Sequence, residues 1–223
     1  MVDSGSTDGA VDYIKSMPVK LIQIEPKKFN YSKAFNSGSK IAKGEFLIRL
    51  SGDCIPVNKD FLRELLKPFD NPKVGGTYGK YTITGKEGWG YPIYWPASRF
   101  SDKEYTISIK PYLSMGLFES YSTKQKLFAL AGGCCTIRKE IWLKKPFNEK
   151  MIGYEDAEYA WSLHLIGYDI VYVPKAIVIH EHKIKKGQKS KDFSLGLILF
   201  SWQIAKYWFL RLFFVDLYKN LKD

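Results

Sequence analysis

Cysteine is scarce in this chain, with 3 in 223 residues, and two of them, Cys134 and Cys135, are adjacent. Vicinal cysteines bridge poorly, so no disulfide framework is available and a reducing compartment is expected. The opening Met1-Val2-Asp3-Ser4-Gly5 lacks both the basic stretch and the apolar run of a secretory leader. The expected setting is therefore cytoplasmic. No repeat at a solenoid period is present, and no low-complexity segment beyond one lysine run. Acidic residues are the minority charge, 23 Asp+Glu against 34 Lys+Arg, for a net +11. That balance favours anionic partners: nucleotide phosphates, nucleic acid or an acidic membrane face.

Apolar material is ample. With 45% hydrophobic and 16% aromatic residues, the chain is excluded from the disordered and collagen-like classes. Its length suits one large domain or a domain with an appendage, burying roughly 70% of its unfolded surface. The charge divides it. Lys183, Lys185, Lys186, Lys189 and Lys191 open a tail that turns strongly apolar from Phe193 to Tyr218. The predicted organisation is a body over 1–182 and a basic-then-apolar segment over 183–223.

Within the body, strands are predicted at Val19–Ile24, Glu45–Leu50, Val74–Tyr78, Leu127–Ala131, Asp169–Val173 and Ile177–Ile179. Helices are predicted at Tyr31–Lys43, at Asn58–Phe69 with Asn58 as N-cap, and at Glu155–Ile166. Residues 85–125 carry Gly, Pro, Tyr and Trp without a period and read as a long loop or small subdomain. Alternating strands and helices predict an α/β fold with a mostly parallel sheet flanked by helices. Ligands of such sheets sit at the carboxyl ends of the strands. The turn Ser51–Pro56 and the segment before Glu155 are therefore the places to look for chemistry.

Four segments carry candidate residues. Val2–Gly9 combines small hydroxyl residues and glycines, which leave backbone amides open, with Asp3, which can accept from a base or ribose; a capped turn explains it equally well. Asp53 follows a strand and a tight turn, where a carboxylate suits a hard divalent cation or merely caps its own backbone. Glu155-Asp156 opens a helix whose dipole stabilises acids, or supplies a general base whose pKa the dipole depresses. His180 and His182 share one strand face and can address a metal or phosphate together. His164, on the apolar side of a helix, reads as a packed core residue.

In order and spacing these segments resemble the family 2 inverting glycosyltransferases of the GT-A fold, and most closely their rhamnosyltransferase-like branch. The resemblance runs through Val2–Gly9, Phe29–Gly38, Lys43–Leu47, Ser51–Pro56, Gly153–Trp161, Tyr168–Pro174 and His180–His182, covering about residues 1–182. It implies a nucleotide-sugar donor, with Asp3, Ser4 and Ser6 at the nucleotide, Asn36 on the donor side and Asp53 as the last acid of a D-x-D motif. It implies Asp156 of the Glu155-Asp156 pair as catalytic base. It implies a Mg²⁺ or Mn²⁺ ion held by Asp53 with His180 or His182, and transfer to a glycan or lipid-linked acceptor. Two departures accompany it. Ser51 occupies the first acid position of D-x-D, and the family's fold begins about 30–40 residues upstream of the Val-Asp-Ser-Gly motif. The sequence thus lacks a first central strand, and the alternative reading is a non-catalytic GT-A remnant or fragment that binds a membrane or partner.

Lys206 and Arg211 lie within Phe193–Tyr218, and each opposes a spanning segment by roughly 2.5–3.5 kcal/mol at mid-membrane. Gln203, Lys206 and Arg211 fall on an arc of about 140°. The expectation is an amphipathic interfacial helix on the anionic inner face of the cell membrane, preceded by lysines that attract acidic lipid. Nucleic acid is set aside, because the lysines cluster beside an apolar segment rather than among stacking aromatics.

Overall fold

A computed structural model describes residues 1–83, 101–109 and 126–180. The polybasic segment, the apolar tail, His182 and most of the expected loop or subdomain over 85–125 lie outside these residues. The strands are β1 (Val2–Asp3), β2 (Ile22–Gln23), β3 (Phe46–Leu50), β4 (Cys54–Pro56), β5 (Val74–Ile83), β6 (Tyr105–Ile107), β7 (Cys134–Arg138) and β8 (Asp169–His180). The helices are α1 (Ala10–Lys15), α2 (Tyr31–Ile41), α3 (Phe61–Leu66), α4 (Lys139–Lys144) and α5 (Glu155–Leu165). Among the described residues, no helix is long and apolar enough to cross a membrane.

Local chemistry explains the main boundaries. Helix α2 starts where Asn30 turns extended and its side chain accepts from the Lys33 amide at 3.0 Å, an N-cap worth about 1 kcal/mol. The predicted helix over 58–69 is shorter than its apolar spacing suggests: α3 covers six residues and a 3₁₀ turn, Lys67–Asp70, completes it at Pro68. Asn58 does not cap it, because its amide donates to the Lys175 carbonyl instead. The strand expected at Leu127–Ala131 is a 3₁₀ turn at Lys126–Phe128 followed by a loop, and the strand begins beyond Gly133. Asp169–Val173 and Ile177–Ile179 are one strand, with a register shift where β8 passes Pro174.

The main sheet has the order β3-β7-β5-β8-β4, with β6 also on β8. It is mixed rather than mostly parallel: β5 and β8 run parallel, while the β3–β7, β7–β5, β8–β4 and β8–β6 pairs are antiparallel. Strand sense is set by the connection and not by the strand's own residues. The three-residue turn between β3 and β4 has no room for a helix. A separate parallel pair joins β1 to β2.

One core fills the main sheet and its helices, with Leu65, Tyr78, Ile137, Tyr159, Leu163, Ile170, Tyr172 and Val178 buried. The Phe147 ring stacks on Tyr159 at 3.9 Å and 3°, fixing the loop before α5 to that helix. His164 is buried as expected, its Nδ1 3.0 Å from the Tyr168 carbonyl.

Candidate active site

The antiparallel registers bring unlike strand ends to one edge of the sheet. Leu50 at the end of β3 pairs with Cys134 at the start of β7, and His180 at the end of β8 pairs with Cys54 at the start of β4. The turn after β3 is tight, since the Cys54 amide donates to the Ser51 carbonyl at 3.0 Å. It is also tied across the sheet, since the Ser51 amide donates to the Gly133 carbonyl at 2.9 Å. Asp53, Cys54, His180, Gly132 and Gly133 therefore share one rim.

Asp53 Oδ2 lies 3.2 Å from His180 Nε2. Cys54 adds a third donor, and one ligand atom from each residue falls within 4.8 Å of the others. Burial, reinforced by the neighbouring Asp53, pushes the Cys54 thiol up to about 12. A protonated sulfur is a poor ligand for a hard cation. The residues fit a divalent ion of the Mg²⁺ or Mn²⁺ type through a carboxylate oxygen and an imidazole nitrogen, with the remaining positions open to water and phosphate oxygens. Ser51 brings no second carboxylate to this edge.

The acidic pair at the start of α5 lies on the same rim. Glu155 is buried and paired with Arg49 of β3 at 2.8 Å. Asp156 points elsewhere: its Oδ2 accepts from the Gly132 amide at 2.9 Å and its Oδ1 from the Ala157 amide at 2.8 Å. Burial and the adjacent Glu155 charge push the Asp156 carboxyl up to about 6, against the opposing pull of Arg49 and the two amides. The depressed value expected from the helix dipole is thus corrected, because desolvation and a like charge outweigh the dipole. A carboxylate titrating near neutrality is a better proton acceptor than an ordinary aspartate.

At the separate β1–β2 pair, Asp3 is buried and its carboxylate accepts from the Gly5 amide at 3.0 Å and the Ser6 amide at 3.2 Å. The Ser6 side chain and the Gly5 amide hold its carboxyl below the usual range. Gly5 sits at φ +97, and a Cβ there would fall 2.5 Å from Pro26 Cγ, so the turn requires glycine. Ser4 is half-buried and Ser6 exposed beside this acid.

Asn36, expected on the donor side, is buried with its side chain bonded inside the protein. Its amide nitrogen donates to the Phe147 carbonyl and Glu149 at 2.8 and 3.1 Å. Its oxygen accepts from Trp142 Nε1 and the Phe147 amide at 2.9 and 3.1 Å. With every hydrogen-bonding position engaged inside the protein, Asn36 locks α2 to the 147–149 loop. Arg49, Cys54 and Gly132 are the site residues that sequence reasoning missed. Only Arg49 carried a signal, as the lone cation inside the apolar run Phe46–Leu50.

The mixed sheet flanked by helices, with acidic side chains gathered at one rim, is a fold of the GT-A type. Comparison with known proteins agrees. The chain belongs to glycosyl transferase family 2, whose model matches residues 1–143. It is 27% identical over 189 residues to a poly-β-1,6-N-acetyl-D-glucosamine synthase of Staphylococcus epidermidis, covering 79% of this chain and 41% of that protein. It is 25% identical over 204 residues to the O-antigen chain rhamnosyltransferase WbaN of Salmonella anatum, covering 86% and 59%. Among solved structures, the mannosyltransferase PcManGT from Pyrobaculum calidifontis in complex with GDP-Man and Mn²⁺ superimposes with a TM-score of 0.54 at 19% identity, covering 83% of this chain and 48% of that one. The chain thus spans about half the length of the relatives it matches.

Proposed function

We propose that this chain transfers a sugar from a nucleoside-diphosphate donor to a hydroxyl of a glycan or lipid-linked acceptor, with inversion at the anomeric carbon. The observation that carries this reading is the Asp156 carboxylate, anchored to Gly132 on the same sheet rim as the Asp53–His180 pair. The acceptor oxygen attacks the anomeric carbon from the side opposite the diphosphate. The new C–O bond forms as the old one breaks, and the electron pair leaves on the diphosphate oxygen. Asp156 takes the acceptor's proton as its oxygen becomes bonded. Asp3, whose carboxylate is already oriented by two amides, faces the nucleotide with Ser4 and Ser6 beside it. Asp53 and His180 would hold the divalent ion, which when bound offsets negative charge on the departing diphosphate.

The basic run Lys183–Lys191 and the apolar stretch after it supply contact with an anionic membrane surface, where a lipid-linked acceptor would reside. Flotation with anionic vesicles tests this: co-flotation at low salt supports it, and no binding at any ionic strength refutes it. The donor reading is tested by thermal-shift titration of the purified chain with nucleoside diphosphates and nucleotide sugars, with and without Mn²⁺. A metal-dependent rise with one nucleotide class supports the transferase. No shift with any of them, from a folded chain, favours the non-catalytic reading to which Ser51 points.

A further inference from the structure

Two carboxylates adjacent in sequence at one helix start are chemically almost equivalent, and a single base requires that they be made unlike. The structure separates them with one residue. Arg49 projects from β3 and binds Glu155 through Nη2 at 2.8 Å, with only 12% and 7% of the two side chains exposed. Its second terminal nitrogen, Nη1, is buried with no hydrogen-bond partner among the described residues. That atom and Asp156 Oδ2 lie 3.2 and 3.0 Å from the same point, the position a Cβ on Gly132 would occupy. The guanidinium therefore bonds one carboxylate and lies beside the other without bonding it.

We infer that Arg49 is the positioning residue that divides the acidic pair, fixing Glu155 as its salt-bridged partner and leaving Asp156 as the carboxylate free to exchange a proton. The inference rests on the transferase reading only for what that proton belongs to. Its geometry stands on Arg49, Glu155, Gly132 and Asp156 themselves. Burial opposes the Arg49 charge, but Glu155 and Asp156 offset that, so the guanidinium stays protonated. The ionisable groups facing Asp156 among the described residues are Arg49 from β3, Cys135 from β7 and Glu155 on its own helix. Cys135 is held as a thiol, pushed up to about 12 by burial, so it leaves the charge balance to Arg49 and Glu155. Glycine at 132 is part of the arrangement, since a side chain there would press on both partners.

The test is a ¹³C carboxyl NMR titration of the full chain, with the Asp156 signal assigned by its loss in Asp156→Asn. It is run on wild type, Arg49→Gln, Arg49→Lys, Glu155→Gln and the Arg49→Gln/Glu155→Gln double variant. Arg49→Gln should move the Asp156 midpoint upward by about one pH unit or more, and Glu155→Gln should move it downward. The double variant should return towards wild type, because it removes one charge of each sign. A purely structural Arg49 would lower the melting temperature while leaving the midpoint in place, and that result overturns the inference. Should Arg49→Gln fail to fold, Glu155→Gln and Arg49→Lys decide it, the latter by a smaller upward shift and its absence. Donor titration of the same samples separates the two readings. Donor binding with an unmoved midpoint sinks only the role of Arg49. A midpoint that moves as described, with no donor binding, sinks the transferase and keeps the division of the pair.

Discussion

Asp53 and His180 stand 127 positions apart in the chain, and their side chains meet at 3.2 Å. The contact follows from one antiparallel register, Cys54 opposite His180, between a three-residue strand and the twelve-residue β8. An acid and an imidazole brought together in this way provide an oxygen and a nitrogen for a divalent ion, beside a thiol held in its protonated form.

If Asp53 and His180 hold the ion as proposed, removing either should uncouple nucleotide binding from metal. Asp53→Ala and His180→Ala are each expected to weaken the Mn²⁺-dependent part of nucleotide binding by about 10-fold or more, while metal-free binding changes little. Cys54→Ala should leave that increment in place. Isothermal titration with and without Mn²⁺ reads all three.

Asp156→Asn keeps the shape of the side chain and removes the proton acceptor. Turnover should fall by about 10²–10⁴-fold, with the thermal shift on donor binding retained. In the active chain, kcat should drop on the acid side with an apparent midpoint near the Asp156 value of about 6. Turnover by the asparagine variant at the wild-type rate would remove Asp156 from the mechanism.

The same carboxyl predicts a stability signature that needs no substrate. Its folded-state pKa lies above the ordinary aspartate value of 3.8, at about 6. Its protonated form is therefore favoured by folding, and that contribution is full below about pH 4 and lost as pH rises through about 6. Thermal melts of wild type and Asp156→Asn across pH 4–7 should diverge, with wild type losing relative stability over that window. Parallel curves would contradict the raised value.

Asn36 gives a prediction of the opposite kind. Its four internal hydrogen bonds make Asn36→Ala destabilising by about 2–5 kcal/mol, because Trp142 Nε1 and the Phe147 amide lose their acceptor in a buried place. Chemical denaturation measures the loss. Donor affinity of the folded fraction should be unchanged, and a selective loss of affinity at full stability would restore Asn36 to the donor wall.

Much of the site was legible before any fold was known, for particular reasons. The run Phe46–Leu50 is too short and too apolar for a surface helix, so the turn after it had to place Asp53 at a strand end. The helix at Glu155 shows itself through its acidic first turn and its closure by Gly167. What stayed hidden is what sequence separation hides. The sense of β7 depends on pairing with the distant strands β3 and β5, and the amide that Asp156 binds and the partner of Glu155 lie 24 and 106 positions away. The internal partners of Asn36 were invisible because an amide offers the same groups to a ligand as to a loop. Asp156 misled because the helix dipole is visible in sequence and the burial that overrides it is not.

Strand β8 runs twelve residues and pairs with β4, β5 and β6, so His180 sits at the end of the most extensively bonded strand in the main sheet. Asp156 hangs from a different kind of support: Gly153 and Tyr154, both with positive φ at 85 and 56, lead into α5. Tyr154 holds a conformation that an L side chain adopts only under strain. The imidazole is thus built like a fixed jaw and the carboxylate like one mounted on a sprung joint. Hydrogen exchange should find slow amides along β8 and faster ones at 153–156, with the difference set by the ladder rather than by depth of burial.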